Sequence, residues 1–228
     1  MSKNHPNAIR YHGSKSKQLD FIYDCFPPSK DYDCFIDLFG GGGSVILNSS
    51  PTKKDIYNDI DEEIVNFFSV LRTDGEKLME ALRLTPYSRT EYDDAFIYDA
   101  DDDDIEKARK TSIKAQFSYG GKGGGFKAFE REVNITKMYA NWIDGLAFVI
   151  DRFKSITIEN MDAMKLLKKV DSKSTLAYID PPYLGADDYE YNYTEEQHIK
   201  LLKYIVDCES MIIISGVPSS LYDEYLQD

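Results

Sequence analysis

The sequence predicts an α/β fold in which a parallel sheet carries helices on both faces and holds a helical insertion between two of its strands. At both ends of the 228-residue chain, short apolar runs alternate with amphipathic segments of helical length, as in parallel sheets. The first apolar run ends in four consecutive glycines, which is typical of a strand-turn-helix unit. Residues 74–153 instead show mostly helical periodicity. The sheet domain therefore comprises residues 1–73 and 154–228, and 74–153 is the insertion.

Five strands are predicted, each followed by a helical segment. They are expected at residues 33–39, 54–57, 156–158, 176–179 and 211–215. A further helix at Ser16–Phe26 precedes the first strand and is stopped by Pro27 and Pro28. The hydrophobic content of 42% is enough for a core of ordinary size.

The charge is strongly acidic overall and unevenly distributed. A formal net charge of −13 argues against a protein that holds nucleic acid through its global charge. Asp99–Asp104 is almost entirely acidic, whereas Lys107–Lys127 contains six Lys or Arg residues and no acid. Nucleic-acid binding would therefore need a local basic face on an acidic body.

The cysteines and the apolar runs indicate a cytoplasmic protein. Cys25, Cys34 and Cys208 are far apart and form no metal or redox spacing, so we expect reduced thiols and no metal site. No apolar run reaches membrane-spanning length, and the first residues contain no signal-peptide core. We expect no membrane association.

The glycine loop, Gly40–Gly43, lies between the first strand and a helix. Asp59 stands 22 positions after Asp37, at the end of the next strand, where an acid can reach both hydroxyls of an adenosine ribose. The loop has neither the dinucleotide fingerprint nor the Gly-Lys-Ser/Thr of a phosphate loop. A nucleoside cofactor without a phosphate clamp, such as S-adenosylmethionine, fits better. The alternative is a flexible turn with an incidental Asp.

Asp180, Pro181, Pro182 and Tyr183 follow a buried strand and form a rigid turn, which we call the catalytic loop. It lies at the carboxyl end of the sheet, where α/β proteins bind ligands. The two prolines remove two backbone donors, so the loop presents carbonyl acceptors. The alternative is a structural proline turn.

Such a loop suits an exocyclic purine amine, which carries only N–H donors. The Asp180 carboxylate and the Pro181 carbonyl can bind its two N–H bonds and localise the nitrogen lone pair for methyl transfer. Tyr183 would stack on the base. A base in a duplex has to be flipped out of the helix to reach this loop.

These residues resemble the Dam-type family of DNA adenine-N6 methyltransferases. The resemblance covers nearly the whole chain and implies a Rossmann-like, S-adenosylmethionine-dependent methyltransferase sheet with a helical DNA-recognition insertion. It also implies methylation of a flipped adenine at specific sites in double-stranded DNA. The cofactor-binding positions that match family motifs are Tyr11 and Lys15, Asp37, Phe39, Gly41 and Gly43, Asp59, and Asp162. Asp37 stands where many relatives have Glu.

The carboxyl end departs from the family pattern. The family sheet ends in an antiparallel hairpin of a sixth and a seventh strand, whereas five strands are counted here. We therefore expect the hairpin to be missing and the strand at Met211–Ser215 to form an edge. An uncovered apolar edge predicts self-association, or reduced stability and activity.

The segment Tyr119–Lys127 mixes glycines, lysines and aromatic residues and matches the recognition region of the family. Glycines let a loop enter a groove, lysines meet phosphates, and an aromatic ring can fill the gap left by a flipped base. The predicted DNA contacts are Lys122, Phe126, Lys127 and Arg131. The alternative is a surface loop without a ligand. Lys107, Arg109, Lys110 and Lys114 precede it at helical spacing and are expected to be a solvated face.

Other interpretations stay open at this point. The methyl acceptor could be an RNA base, or a protein glutamine as in related Asn-Pro-Pro-Tyr enzymes, although Asp180 and the insertion favour DNA. A cofactor-binding or DNA-binding protein with little turnover is the non-enzymatic alternative. The loop Tyr189–Tyr193 could close over the substrate, and His198 is expected to be structural.

Overall fold

The computed structural model describes residues 5–121, 124–185 and 191–226. The strands are β1 (Cys34–Asp37), β2 (Lys54–Asn58), β3 (Ile156–Glu159), β4 (Thr175–Ile179) and β5 (Met211–Ile214). The helices are α1 (Leu19–Asp24), α2 (Ser44–Asn48), α3 (Glu62–Leu84), α4 (Arg89–Asp94), α5 (Asp104–Gln116), α6 (Ile135–Phe153), α7 (Ala163–Val170), α8 (Glu195–Asp207) and α9 (Ser220–Tyr225).

Within these residues the strands form one parallel sheet in the order β3-β2-β1-β4-β5. Asp37 at the end of β1 is in register with Tyr57 of β2 and Tyr178 of β4. The carboxyl ends of the three central strands are therefore level, and the loops that follow them meet at one edge. The predicted α/β fold with a parallel sheet is confirmed.

Two hydrophobic cores lie on opposite faces of the sheet because alternate strand residues point to opposite sides. One face carries Phe35, Tyr57 and Tyr178 against α3 and α6, where Phe68 and Phe153 stack at 4.3 Å. The other carries the following residues, which pack against α7 and α8: Ile36, Ile56, Ala177, Ile179, Leu166, Leu167, Leu201 and Leu202. The sheet is thus covered on both faces.

The helical middle of the chain packs into the first of these cores. Helix α3 runs through the predicted domain boundary at residue 74 with only a kink, where Asp74 has φ −132° and ψ 31°. At the next position, a Cβ on Gly75 would lie 2.5 Å from Ile150 of α6, so the two helices approach closely there. The division at residues 74 and 153 stays a prediction, and the core is continuous across it.

A buried ion pair anchors the returning end of this helical segment. Arg152 of α6 donates to the Asp55 carboxylate of β2 at 2.7 Å and to the Ile46 carbonyl of α2 at 3.1 Å. Arg152 and Asp55 are only 9% and 2% exposed. Because removing one partner would leave an uncompensated buried charge, this pair fixes α6 to the sheet.

Strand β5 forms one edge of the sheet, and its outer side pairs with no other strand among the described residues. Its four residues are half-buried. Self-association along this edge stays a prediction. None of the helices in the described part of the chain is long and apolar enough to cross a bilayer.

Candidate active site

A cavity of about 430 Å³ opens at the carboxyl edge of the sheet, and we call it the edge cavity. Segments that follow β1, β2, β3 and β4 line it, together with the chain before α1. It brings together these predicted site residues: Tyr11, Lys15, Asp37, Phe39, Gly41, Asp59, Asp162, Asp180 and Pro182. Gly43, Pro181 and Tyr183 are not part of the lining, but each is adjacent in the chain to a residue that is.

The glycine loop turns tightly against aromatic rings. Gly41 and Gly43 have φ values of +47° and +67°, in the left-handed region that residues with a Cβ avoid. A Cβ on Gly41 would lie 2.8 Å from the Tyr11 ring. The Tyr57 hydroxyl donates to the Gly41 carbonyl at 2.7 Å. The loop therefore has a fixed shape that only glycine allows.

Asp59 joins the glycine loop to the end of β2. One carboxylate oxygen accepts from the Gly41 N–H at 2.7 Å and the other from the Asp61 N–H at 2.9 Å. Burial raises the pKa of Asp59 to about 6, although these backbone hydrogen bonds oppose the rise. Each carboxylate oxygen has a second lone-pair site, so Asp59 can still accept from a ligand.

Asp37 is 2% exposed and lies at the bottom of the edge cavity. Its carboxylate accepts from the Ile46 N–H of α2 at 3.2 Å. Burial raises the pKa of Asp37 to about 7, and the nearby Asp180 and Asp59 carboxylates add to the rise. The cavity floor thus carries closely spaced carboxyl groups, and a cationic ligand group there would favour their ionised forms.

Lys15 forms an ion pair with Asp180, and the two side chains are 10% and 14% exposed. The Lys15 ammonium also donates to the Gly13 carbonyl at 3.0 Å and lies 5.2 Å from the centre of the Tyr183 ring. The other Asp180 oxygen, Oδ1, is buried and makes no hydrogen bond with the described residues. One carboxylate oxygen is thus held by Lys15, and the second is free to accept.

Burial and the ion pair shift the pKa values of Lys15 and Asp180 in opposite directions. Burial raises the pKa of Asp180 on balance, although the neighbouring Lys15 ammonium and a hydrogen bond with the Tyr183 side chain oppose the rise. Burial lowers the pKa of Lys15, but Asp180 outweighs that effect and the net shift is upward. Lys15 is therefore a cation that favours the ionised form of Asp180. The predicted cofactor contact of Lys15 is untested, and its observed partner is the catalytic loop.

Asn58 is a site residue that the sequence did not suggest. Its amide nitrogen donates to the Leu38 carbonyl at 3.0 Å and to the Met161 carbonyl at 3.1 Å. Its amide oxygen accepts from the Met161 N–H at 3.0 Å. Asn58 thereby fixes the loops after β1 and β3 to the end of β2. The feature of the sequence that could have identified Asn58 as a site residue is its position directly before Asp59.

The adjoining loops complete the lining of the edge cavity. Asp162 caps α7 by accepting from the Lys165 N–H at 2.9 Å. Tyr191, Asn192 and Tyr193 line the cavity, and the Tyr193 ring meets Phe39 edge to face at 5.4 Å. Residues 189 and 190 of the predicted closing loop lie outside the described residues.

The predicted DNA contacts differ in their exposure and in their partners. Lys122 lies outside the described residues. Phe126 packs among aromatic rings, with the Arg89 guanidinium 4.9 Å from its centre. Lys127 is 6% exposed and paired with Glu130, whereas Arg131 is exposed. Phe126 and Lys127 therefore support this segment from within.

Two other aromatic residues form the outer surface of the segment. Tyr119 is 53% exposed and Phe129 is 73% exposed. They lie near each other, since the Tyr119 hydroxyl donates to the Phe129 carbonyl at 3.4 Å. Periodicity did not single out Phe129, because the chain here runs as an irregular hairpin with one bridge between Ser118 and Phe126.

The basic helix before this segment is paired internally. Arg109 bonds to Glu106 and Glu91, and Lys114 bonds to Glu63 at 2.7 Å. Lys110 pairs with Asp102 at 2.5 Å. These cations stabilise contacts between α3, α4 and α5. The sequence predicted only a solvated face for Arg109, Lys110 and Lys114, whereas the structure shows all three in ion pairs.

A glycine turn after the first strand, an acid after the second and an acceptor loop after the fourth meet at the carboxyl edge of the sheet, where α/β enzymes bind their ligands. Comparison with known families then identifies the protein. The family model for D12 class N6 adenine-specific DNA methyltransferases matches residues 11–215, and the chain belongs to that family. The protein is a DNA adenine-N6 methyltransferase. This family match favours DNA as the methyl acceptor over the RNA and protein acceptors considered above.

Proposed function

We propose that the enzyme transfers a methyl group from S-adenosylmethionine to N6 of an adenine that has been flipped out of double-stranded DNA. The observation that carries this proposal is Asp180 Oδ1, a buried acceptor without a partner in the described part of the molecule, on a residue that lines the edge cavity. A buried acceptor of this kind costs stability unless a ligand donor satisfies it. An exocyclic amine supplies that donor.

The residues of the edge cavity fit the cofactor. About 430 Å³ is within the range of about 300–1,000 Å³ that small-molecule sites occupy. Asp59 is placed to accept from ribose hydroxyls beside the glycine loop, and the acidic Asp37 suits a cation. S-adenosylmethionine supplies an electrophilic methyl group on a sulfonium, so the acidic floor complements its charge.

The catalytic loop prepares the amine for attack. The Asp180 carboxylate and the Pro181 carbonyl accept its two N–H bonds, so the nitrogen lone pair is withdrawn from the ring and made available. When the N–C bond has formed, the nitrogen carries one proton too many. Asp180 is the neighbouring base that can remove it, and the Lys15 ammonium beside it favours the ionised carboxylate that this step requires. Tyr183 lies beside this pair and stacks on the base.

Changing Asp59 to Asn is expected to weaken cofactor affinity by about tenfold, because an amide replaces one acceptor with a donor. In the unchanged protein, affinity should fall as the pH drops through about 6, where Asp59 becomes protonated and loses an acceptor. Calorimetric titration with S-adenosylmethionine between pH 5 and pH 8 measures both effects. A fall in affinity near pH 6 that persists unchanged in Asp59→Asn would contradict the role of Asp59, whereas a fall near pH 7 is expected from Asp37 in both proteins.

We infer that DNA is held by the outer surface of residues 119–131, which we call the recognition segment, with Tyr119, Phe129 and Arg131 as its contacts. Lys122 remains part of the proposal from sequence, and Phe126 and Lys127 keep the segment in shape. An exposed apolar ring beside a cation can enter the space that a flipped base leaves while the cation meets a phosphate. The acidic Asp99–Asp104 stretch points away from DNA in this proposal, because its carboxylates repel the phosphates.

Replacing Phe129 with Ala is expected to weaken binding of duplex DNA by roughly tenfold, because a stacked aromatic contributes on the order of 1–3 kcal/mol. Phe21→Ala is the matched control, as Phe21 on α1 is 72% exposed and Phe129 is 73% exposed. Fluorescence anisotropy with a labelled duplex measures both variants. Equal losses in the two variants would show that Phe129 has no particular part in binding.

The transfer reaction itself is tested with a methyl-labelled cofactor and three acceptors, namely DNA, RNA and protein. Label is expected in duplex DNA alone, and mapping of methyladenine should place it at one recognition sequence. Cofactor binding without transfer to any acceptor would instead support the alternative of a binding protein with little turnover.

A further inference from the structure

His198 of α8 is completely buried between three segments of the active-site edge. Its Nδ1 lies 2.8 Å from the Tyr222 hydroxyl of α9. Its ring meets Tyr193 edge to face, with the centres 5.0 Å apart and the planes at 89°. Tyr193 in turn lines the edge cavity. His198 therefore contacts both a wall of the cavity and the last described helix.

The second ring nitrogen of His198 is buried, and the catalytic loop is one of its neighbours. Nε2 is buried and makes no hydrogen bond of good geometry with the described residues. Burial lowers the pKa of His198, and the Pro182 backbone partly offsets this effect as an acceptor. Because Pro182 has no N–H, the acceptor is its carbonyl. Since Nδ1 lies 2.8 Å from the Tyr222 hydroxyl, Nε2 is the nitrogen left to interact with this carbonyl.

The catalytic loop needs donors from elsewhere in the chain. Two consecutive prolines leave it without its own N–H groups at these positions, so only its carbonyls can be anchored. At the end of β4, the N–H of Ser215, the residue that follows the neighbouring strand β5, donates to the Ile179 carbonyl at 2.8 Å. Two residues beyond the catalytic Asp180, the Pro182 carbonyl has the His198 ring as its available donor.

We propose that neutral His198 is a positioning residue that donates from Nε2 to the Pro182 carbonyl and so holds the catalytic loop in the conformation that binds the amine. The Tyr222 hydroxyl fixes the required tautomer by donating to Nδ1. This inference rests on the proposed function, because the loop it holds is the one that carries Asp180 and Pro181.

Three substitutions test the donor. A glutamine amide nitrogen reaches the position of Nε2, an asparagine amide reaches only that of Nδ1, and leucine offers no donor. His198→Leu and His198→Asn are expected to lower kcat for DNA methylation by about tenfold, the effect of one lost positioning hydrogen bond. Their cofactor dissociation constant should stay within about twofold. His198→Gln should recover kcat to within about threefold of the unchanged enzyme.

Equal losses of kcat in the glutamine and asparagine variants would overturn the proposal, as would a loss confined to the melting temperature or to cofactor affinity. If His198→Leu does not fold, the comparison of His198→Gln with His198→Asn still tests the proposal.

The tautomer is read independently by ¹⁵N NMR of the imidazole, which should show Nε2–H and an unprotonated Nδ1. An Nδ1–H tautomer contradicts the proposal even if the enzyme methylates DNA. If the unchanged protein methylates nothing, the proposed function fails, and the NMR spectrum alone decides the His198 contact.

Discussion

Replacing Asp180 with Ala is expected to lower kcat by at least about a thousandfold while cofactor affinity changes by less than about threefold. The carboxylate holds the amine in the geometry of attack and receives its proton, so both contributions are lost together. Cofactor affinity is spared because the ribose is assigned to Asp59 and the cation to the acidic floor around Asp37. Single-turnover transfer of labelled methyl groups, with calorimetry for the cofactor, measures the two effects separately.

Asp180→Asn is the matched control for that experiment. Its amide oxygen can still accept one N–H, but its nitrogen offers donors to Lys15, so an intermediate loss of about 10- to 100-fold is expected. An Asp180→Ala enzyme of full activity would show that the amine is held elsewhere and that the proposed mechanism is wrong.

Replacing Lys15 with Met is expected to lower kcat by about 10- to 100-fold at neutral pH and to move the acidic limb of its pH profile to higher pH. Methionine keeps much of the side-chain bulk but removes the cation that opposes the burial of Asp180. The pKa of Asp180 then rises further, and below that pKa the carboxyl is protonated and accepts the amine poorly. The limb is measured as kcat between pH 5 and pH 9, with Lys15→Arg expected to restore it.

Lys110→Met is the matched control, because the Lys110–Asp102 pair is about as buried as Lys15–Asp180 but lies in the helical segment. It should leave the acidic limb unchanged. If Lys15→Met instead weakens cofactor binding strongly and leaves the limb in place, Lys15 is a cofactor contact, as the family resemblance implied.

Much of the fold was predictable because it depends on local patterns. Apolar runs and glycine or proline turns located β1 to β5, and the carboxyl-edge rule placed Asp59 and Asp180 on one side of the sheet. The cavity confirms that these segments meet, since both residues line it.

Pairings between distant segments were not predictable. Lys15 and Asp180 are 165 positions apart, and no spacing in the sequence relates them. The choice between Phe126 and Phe129 as the exposed ring depends on an irregular hairpin whose inner side packs on Tyr87 and Tyr92. Helix α3 crosses the predicted boundary at residue 74 because its apolar face continues on both sides of the kink.

The course of α3 has a consequence for engineering the target sequence of this enzyme. Its first turn is capped by Asp61, which is bonded to Asp59, and its last turn receives the Tyr139 hydroxyl at the Leu82 carbonyl. The two parts of α3, on either side of the kink at Asp74, therefore share one core and together join Asp59 to the helical middle of the chain. A chimera that exchanges recognition segments between relatives should keep α3 intact and make its first junction after Leu84, because a cut at residue 74 would separate two parts that pack in the same core.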